Sequence, residues 1–88
     1  MSGRIGGTIQ QMQDMGAKFT NEVSELEGLV TRISAQLAST DWEGGAAQRF
    51  RAQWEGEFKS TFQQVGEGLR ACGQEVQNRA NALTQAGG

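Results

Sequence analysis

The sequence predicts an all-α protein: an antiparallel two-helix hairpin that dimerises into a four-helix bundle. Apolar residues recur every three or four positions along two long stretches of the 88-residue chain, as they do on amphipathic helices, and proline is absent. Trp42-Glu43-Gly44 separates the two stretches near the midpoint, and glycine at such a break indicates a bend. Two helices joined by a short loop fold back antiparallel.

Helix 1 is predicted over about residues 8–39. Thr8 and Gln11 have the spacing of a capping box, which satisfies free amides of a first helical turn. The apolar residues that follow occupy the two seam positions of a heptad pattern. One position holds Ile9, Gly16, Val23, Val30 and Leu37, and the other holds Met12, Phe19, Leu26 and Ile33. Gly16 would let a neighbouring backbone approach closely.

The bend is predicted over about residues 40–45, and two starts for the second helix remain open. Thr40 and Glu43 offer a capping box, which would begin the helix before Gly44. Because Gly44-Gly45 makes a poor first turn, the helix could instead begin after Gly45.

Helix 2 is predicted over about residues 46–84, with flexible termini on either side of the single domain, 1–88. Its first large residues, at 50, 54, 58 and 62, are spaced by four and drift relative to the later heptad phase. Such a phase shift predicts straightening or local unwinding of any supercoil there. Cys72 and Arg79 continue the seam. Cys72 is interpreted as a small buried hydrophobe, with a redox or intermolecular disulfide role as the alternative, and Arg79 predicts that the bundle frays or opens near the carboxyl end.

Composition weighs against several functional classes. The net charge is -2 and the basic residues are dispersed, so nucleic acid is a poor candidate partner. Histidine is absent and cysteine occurs once, which leaves no metal-ligand cluster or nucleophile–base pair. We therefore expect no enzymatic activity, no cofactor, no metal and no small-molecule substrate. The sequence has no apolar run long enough for a membrane span and no apolar core of a signal peptide at its start. From targeting signals alone, we expect the chain in the cytoplasm.

A lone hairpin of this length has a thin core. Two packed helices leave one side of the apolar seam facing water, and the ordinary remedy is to pair with a second hairpin. The residues expected to pack within the hairpin or the dimer are Phe19, Val23, Leu26, Val30, Ile33, Phe50, Trp54, Phe58, Phe62 and Leu69. We therefore predict a dimer as the working unit.

The chain resembles the WXG-motif family, the early-secreted-antigen-like small substrates of type VII secretion. The resemblance covers nearly the whole chain: its length, Trp42-Glu43-Gly44 between two helices, and Ala47, Phe50 and Trp54 at the family's usual offsets. This virulence-associated family implies a non-enzymatic hairpin that pairs with itself or a paralogue. It also implies export as a folded dimer, without a cleaved signal peptide, by the type VII secretion ATPase.

The sequence departs from the family at its carboxyl end. Members usually carry Tyr-x-x-x-Asp/Glu after helix 2, whereas this chain has no tyrosine, and its best-matching segment is residues 77–81, Gln-Asn-Arg-Ala-Asn. We therefore favour a heterodimer, in which a paralogue supplies the Tyr motif, over a homodimer.

Two roles remain open for Trp42, which with Gly44 forms the predicted turn and secretion motif. The indole could plug the end of the hairpin by packing on Phe50 and Trp54, or it could be a surface element that the export machinery reads; one ring can do both. The alternative function for the whole chain is a non-secreted coiled-coil adaptor or a chaperone-like partner of a larger secreted protein.

Overall fold

The computed structural model describes the backbone of residues 2–87 and the side chains of residues 8–87. Within that range the chain forms helices joined by one bend, and their bounds are α1 (Ser2–Ser39), α2 (Gly45–Gln53), a π-helical turn (Trp54–Phe58) and α3 (Lys59–Gly87). The last three form one continuous rod. The predicted all-α hairpin is confirmed.

The two rods run antiparallel. Hydrogen bonds across the hairpin show this order: residues earlier in α1 pair with residues later in the second rod. The pairs are Ser34 with Trp54, Glu27 with Arg70, and Gln13 with Gln77. The molecule measures 65 × 17 × 12 Å and has a radius of gyration of 19.6 Å. A globular domain of this length would have about 12 Å, so the hairpin is long and its core is thin.

Helix α1 begins at Ser2 and passes through Thr8, where the capping box suggested a start. A cap is a local preference of about 1 kcal/mol, and no proline precedes Thr8 to stop the helix from continuing. At the other end α3 continues to Gly87. The expectation of flexible termini falls partly outside the described residues, because Met1 and Gly88 are not described and the side chains of residues 2–7 are not described either.

The second rod begins at Gly45, with Gly44 as its N-cap. The capping box at Thr40 does not form, because the Thr40 hydroxyl donates a hydrogen bond backwards to the carbonyl of Gln36 in α1. Gly44 has φ of +103° and ψ of 178°, a conformation that is essentially restricted to glycine. The chain therefore reverses at a residue with no side chain. Of the two expected starts of the second helix, the one after Gly45 is closer to the observed start at Gly45.

A π-helical turn occupies Trp54–Phe58, within the stretch where the sequence predicted straightening or local unwinding of a supercoil. The amide of Lys59 donates to the carbonyl of Trp54, five residues back, instead of to the carbonyl four residues back. A π turn holds more residues than an α turn, so it absorbs the mismatch between the spacing by fours and the later heptads.

The closest approach of the two rods runs along small residues. On α3 the buried positions are Gly66, Gly73 and Ala80, spaced by seven, and on α1 they are Gly16 and Val23, whose exposure is 2%. A Cβ atom built on Gly73 would lie 3.0 Å from the Cβ of Phe19 and 3.2 Å from the carbonyl oxygen of Gly16. The backbone approach expected at Gly16 therefore occurs, and its partner is another glycine.

Two seam assignments on α3 are wrong for the single chain. Cys72 is exposed, and Arg79 is exposed and donates to Glu75, one turn earlier, at 2.8 Å. The contact line passes through Gly73 and Ala80 instead, and because successive helical residues are 100° apart, the residue before each of them points away from α1.

Candidate functional site

The W-x-G turn is tied to the end of α1 by hydrogen bonds on the last carbonyl groups of that helix. The Ser39 and Thr40 hydroxyls both donate to the carbonyl of Gln36, and the Thr40 amide donates to the carbonyl of Leu37 at 3.3 Å. The Trp42 amide then donates to the carbonyl of Thr40 at 2.9 Å. The bonds to Gln36 and Leu37 satisfy carbonyls that an ordinary helix end leaves free.

Arg51 binds the turn from the opposite rod. One terminal nitrogen of its guanidinium donates to the carbonyl of Trp42 at 2.8 Å. The other donates to the carbonyl of Thr40 at 3.0 Å and that of Leu37 at 3.4 Å. A positive charge at a helix carboxyl end is also favoured by the helix dipole. One side chain of α2 thus holds three successive parts of the reversal.

The indole of Trp42 lies partly on the surface, with 39% of the residue exposed. Its ring centroid is 5.9 Å from that of Phe50, and the ring of Phe50 is 6.2 Å from that of Phe58, both pairs being tilted. Trp54, expected in the same cluster, pairs its ring with Phe62 instead, at 5.9 Å. Trp42 therefore packs one side on Phe50 and leaves the remainder accessible to a partner.

Trp54 fixes the two rods together close to the turn. Its exposure is 6%, and its indole N–H donates to the Ser34 hydroxyl across the hairpin at 2.8 Å. This bond satisfies the polar end of a buried indole, which usually finds a partner. The tip of the hairpin is thus anchored by Trp54 inside and carries Trp42 outside.

One side of the hairpin presents an apolar face, which we define as Met15, Leu26, Leu29, Ile33, Val65, Leu69 and Leu83. Leu26 and Leu29 of α1 and Val65 and Leu69 of α3 line a shared groove of about 310 Å³ between the rods. The remaining members lie at heptad or helical-turn spacings from these four. Val65 is 49% exposed and Ile33 44%, so large side chains there have no full cover within the hairpin.

The other side of the hairpin carries a groove of mixed character, in which Val23, Val30 and Phe62 line the wall together with polar side chains. Glu27 accepts a hydrogen bond from Arg70 across the rods at 2.7 Å, beside this groove of about 460 Å³, which is also lined by Thr31, Lys59 and Gln63. Leu26 borders both grooves, whereas Glu27, the next residue of α1, lines only the larger one. The two sides therefore differ in one respect: the exposed large side chains Leu29 and Val65 lie in the groove of the apolar face, whereas the larger groove mixes apolar with charged and amide side chains.

The predicted packing residues are distributed over three environments. Val23 and Trp54 are buried, and Ile33 and Phe50 are exposed. The half-buried ones are Phe19, Leu26, Val30, Phe58, Phe62 and Leu69. The hairpin thus covers this set only in part.

The Tyr-x-x-x-Asp/Glu position is used inside the hairpin. Gln77, the residue that stands in place of the tyrosine, is half-buried and donates its amide to the carbonyl of Gln13 at 3.0 Å. Asn81, in place of the acid, is exposed. Gln77 therefore links the two rods near their open end.

Sequence reasoning missed Arg51 and the small contact residues of α3. Arg51 counted only as one of the dispersed basic residues, and no local pattern indicated carbonyl partners nine to fourteen positions earlier. The line of Gly66, Gly73 and Ala80 did carry a signal, a seven-residue repeat of small side chains, but the large apolar residues beside it dominated the pattern.

The described residues contain no group of three or more His, Cys, Asp or Glu side chains that could hold a metal ion. None of the helices in residues 2–87 combines the length and apolar character that a membrane span requires.

Comparison with known proteins agrees with this architecture. The family model of WXG100, described as proteins of 100 residues with WXG, matches residues 4–87. No curated protein and no solved structure gave a match to the chain. The family comprises small helical proteins of type VII secretion. With the match spanning nearly the whole sequence, and with a Trp42-Glu43-Gly44 bend between two long helices, the chain belongs to the WXG100 family.

Proposed function

We propose that this chain is a non-enzymatic small secreted protein, exported as a folded dimer by a type VII secretion system and acting through protein–protein interaction. Before export it resides in the cytoplasm, and it leaves the cell without cleavage of a signal peptide. Family membership supports the general kind of protein, and the apolar face is the observation on which the dimer rests.

The apolar face supports dimerisation because the single hairpin buries very few large side chains. Among the described residues the buried apolar ones are Val23, Ala47, Trp54 and Ala80, two of which are alanines. Burying apolar area contributes about 25 cal/mol per Å². A second hairpin on the groove of Leu29 and Val65 would therefore add substantially to a thin core, and four helices would then enclose the face on all sides.

A paralogous family member is the partner we favour, with a second copy of this chain as the other candidate. Gln77 and Asn81 replace the two residues of the Tyr-x-x-x-Asp/Glu motif, and Gln77 is engaged with Gln13 inside the hairpin. A paralogue would bring its own motif to the dimer. This chain would then contribute the exposed indole of Trp42 to a signal for the secretion ATPase.

Two measurements test the proposal. The first is the mass of the purified chain in solution, with and without its paralogue: a stable homodimer that ignores the paralogue would contradict the heterodimer, and a monomer in both cases would contradict dimerisation. The second is the amount of intact chain in culture supernatant. Export should require the secretion ATPase, and a chain that stays in cells with an active system would instead be the adaptor or chaperone-like partner.

The role of Trp42 is tested by Trp42→Ala, with Asp41→Ala as a neighbouring control. Because Trp42 is partly exposed and its ring contact is to Phe50 near the tip, we expect helicity and dimerisation to remain and export to fall. Asp41→Ala, an exposed change in the same turn, should be exported normally. Loss of folding in Trp42→Ala would instead assign the indole to the plug role.

A further inference from the structure

Arg51 donates hydrogen bonds beyond the end of α1 as well as to it. Its guanidinium donates to the carbonyls of Leu37, Thr40 and Trp42, at 3.4, 3.0 and 2.8 Å. Leu37 belongs to α1, Thr40 follows the end of that helix, and Trp42 is the first residue of the W-x-G motif. One side chain of α2 therefore spans the helix end, the start of the bend and the motif itself.

The shortest of these bonds acts on the backbone of Trp42. Its carbonyl is held by Arg51, and its amide donates to Thr40, whose own carbonyl Arg51 also binds. Both peptide groups that flank the Trp42 Cα atom are thus tied to one framework. These two groups set the direction of the Cα–Cβ bond of Trp42, and the contact with the Phe50 ring then fixes the indole at the end of that bond.

Only an arginine can supply this set of bonds. The guanidinium is planar and presents five N–H donors in a fixed fork, whereas the lysine ammonium is a compact charge on a flexible stem. A lysine at this position could keep the positive charge near the end of α1 without holding three carbonyls in one arrangement. Arg51→Lys therefore separates the effect of the positive charge from the effect of the hydrogen-bond geometry.

We propose that Arg51 is the positioning residue of the W-x-G turn: it holds the Trp42 peptide so that the indole stays against Phe50 and presents its free side outward. The consequence for export rests on the proposed function, while the consequence for the turn is independent of it. Arg49, an exposed arginine two positions away on the same helix, provides a control of equal charge.

The test uses full-length protein labelled with 5-fluorotryptophan, which reports Trp42 and Trp54 as two fluorine resonances, with amide hydrogen exchange measured in parallel. In Arg51→Lys and Arg51→Gln the Trp42 resonance should move toward that of a solvated indole, and the Thr40 and Trp42 amides should exchange about tenfold faster, as expected for the loss of a charged hydrogen bond. The Trp54 resonance should stay in place. Arg49→Gln should change neither probe.

Export of the same variants separates this inference from the proposed function. Reduced export of Arg51→Lys, with dimerisation retained and with a level close to that of Trp42→Ala, supports the positioning role. Unchanged Trp42 resonance and amide exchange in both Arg51 variants would overturn the positioning role. A disordered turn with normal export, while Trp42→Ala is not exported, would overturn the consequence for export. If Trp42→Ala is itself exported normally, the proposed role of Trp42 in the export signal is wrong. The fluorine resonances and the amide exchange then still decide whether Arg51 holds the turn.

Discussion

Replacing Gly73 with alanine tests whether the two rods are held together along their line of small residues. The added Cβ atom would lie 3.0 Å from the Cβ of Phe19 and 3.2 Å from the carbonyl oxygen of Gly16. Neither neighbour is the flexible end of a side chain, so neither can swing away, and the two rods must separate locally. Gly68→Ala is the matched control, because it lies on the same helix and nothing lies within 4 Å of its added Cβ.

The two substitutions share one term and differ in another. Alanine is favoured over glycine inside a helix by about 1 kcal/mol, which applies to both. Overpacking a close contact costs about 1–3 kcal/mol, which applies only to Gly73. We therefore expect Gly68→Ala to stabilise the protein by about 1 kcal/mol and Gly73→Ala to be about 1–3 kcal/mol less stable than Gly68→Ala.

Thermal unfolding followed by circular dichroism at several protein concentrations measures this difference. For a domain of this size 1 kcal/mol corresponds to about 4–8 °C in Tm, and the concentration series separates hairpin stability from dimer stability. Equal Tm values for the two variants, or a Gly73→Ala protein that is the more stable, would refute the close approach of the rods at this position.

Three further substitutions test other parts of the structure. Gly44→Ala should destabilise the protein by about 1–3 kcal/mol in denaturant unfolding, because φ of +103° is strained for alanine; an unchanged midpoint would contradict this conformation. Ser34→Ala removes the acceptor of the buried Trp54 N–H and should cost about 1–3 kcal/mol, whereas Trp54→Phe removes the bond together with part of a buried ring; the double variant should lose less than the sum of the two, and additive losses would contradict a bond between them. Leu29→Glu, on the apolar face, should lower the mass measured by light scattering from dimer to monomer, while Glu25→Gln on its rim should not; a dimer that persists in Leu29→Glu would place the interface elsewhere.

Periodicity predicted the helices and the bend because both depend on local sequence. Apolar spacing identified α1 and the second rod, and the glycines after Trp42 identified the reversal. The spacing by fours before Phe62 predicted straightening or local unwinding of a supercoil, and a π turn, which the pattern did not predict as such, occupies part of that stretch. These features depend on residues within a few helical turns of one another, so the local sequence is sufficient to predict them.

The contact line between the rods was misplaced by the same reasoning. Large residues such as Leu69 define a conspicuous heptad, and continuing it put Cys72 and Arg79 on the seam. In the structure the rods meet along Gly73 and Ala80 instead. Small residues permit the closest approach, and the large ones beside them spread to the flanks, which leaves part of the apolar stripe on the surface.

The sequence by itself determined that this protein is a helical hairpin of the WXG100 family. Only the tertiary structure decided which residues lie at the helix contact, which face stays apolar and uncovered, and how Arg51 holds the W-x-G turn. The physical reason is separation along the chain. Helix formation depends on neighbours three or four residues apart, whereas the bonds from Arg51 to Trp42 and Leu37 join residues 9 and 14 apart, and the contact of Gly73 with Gly16 exists only once the two rods have folded together.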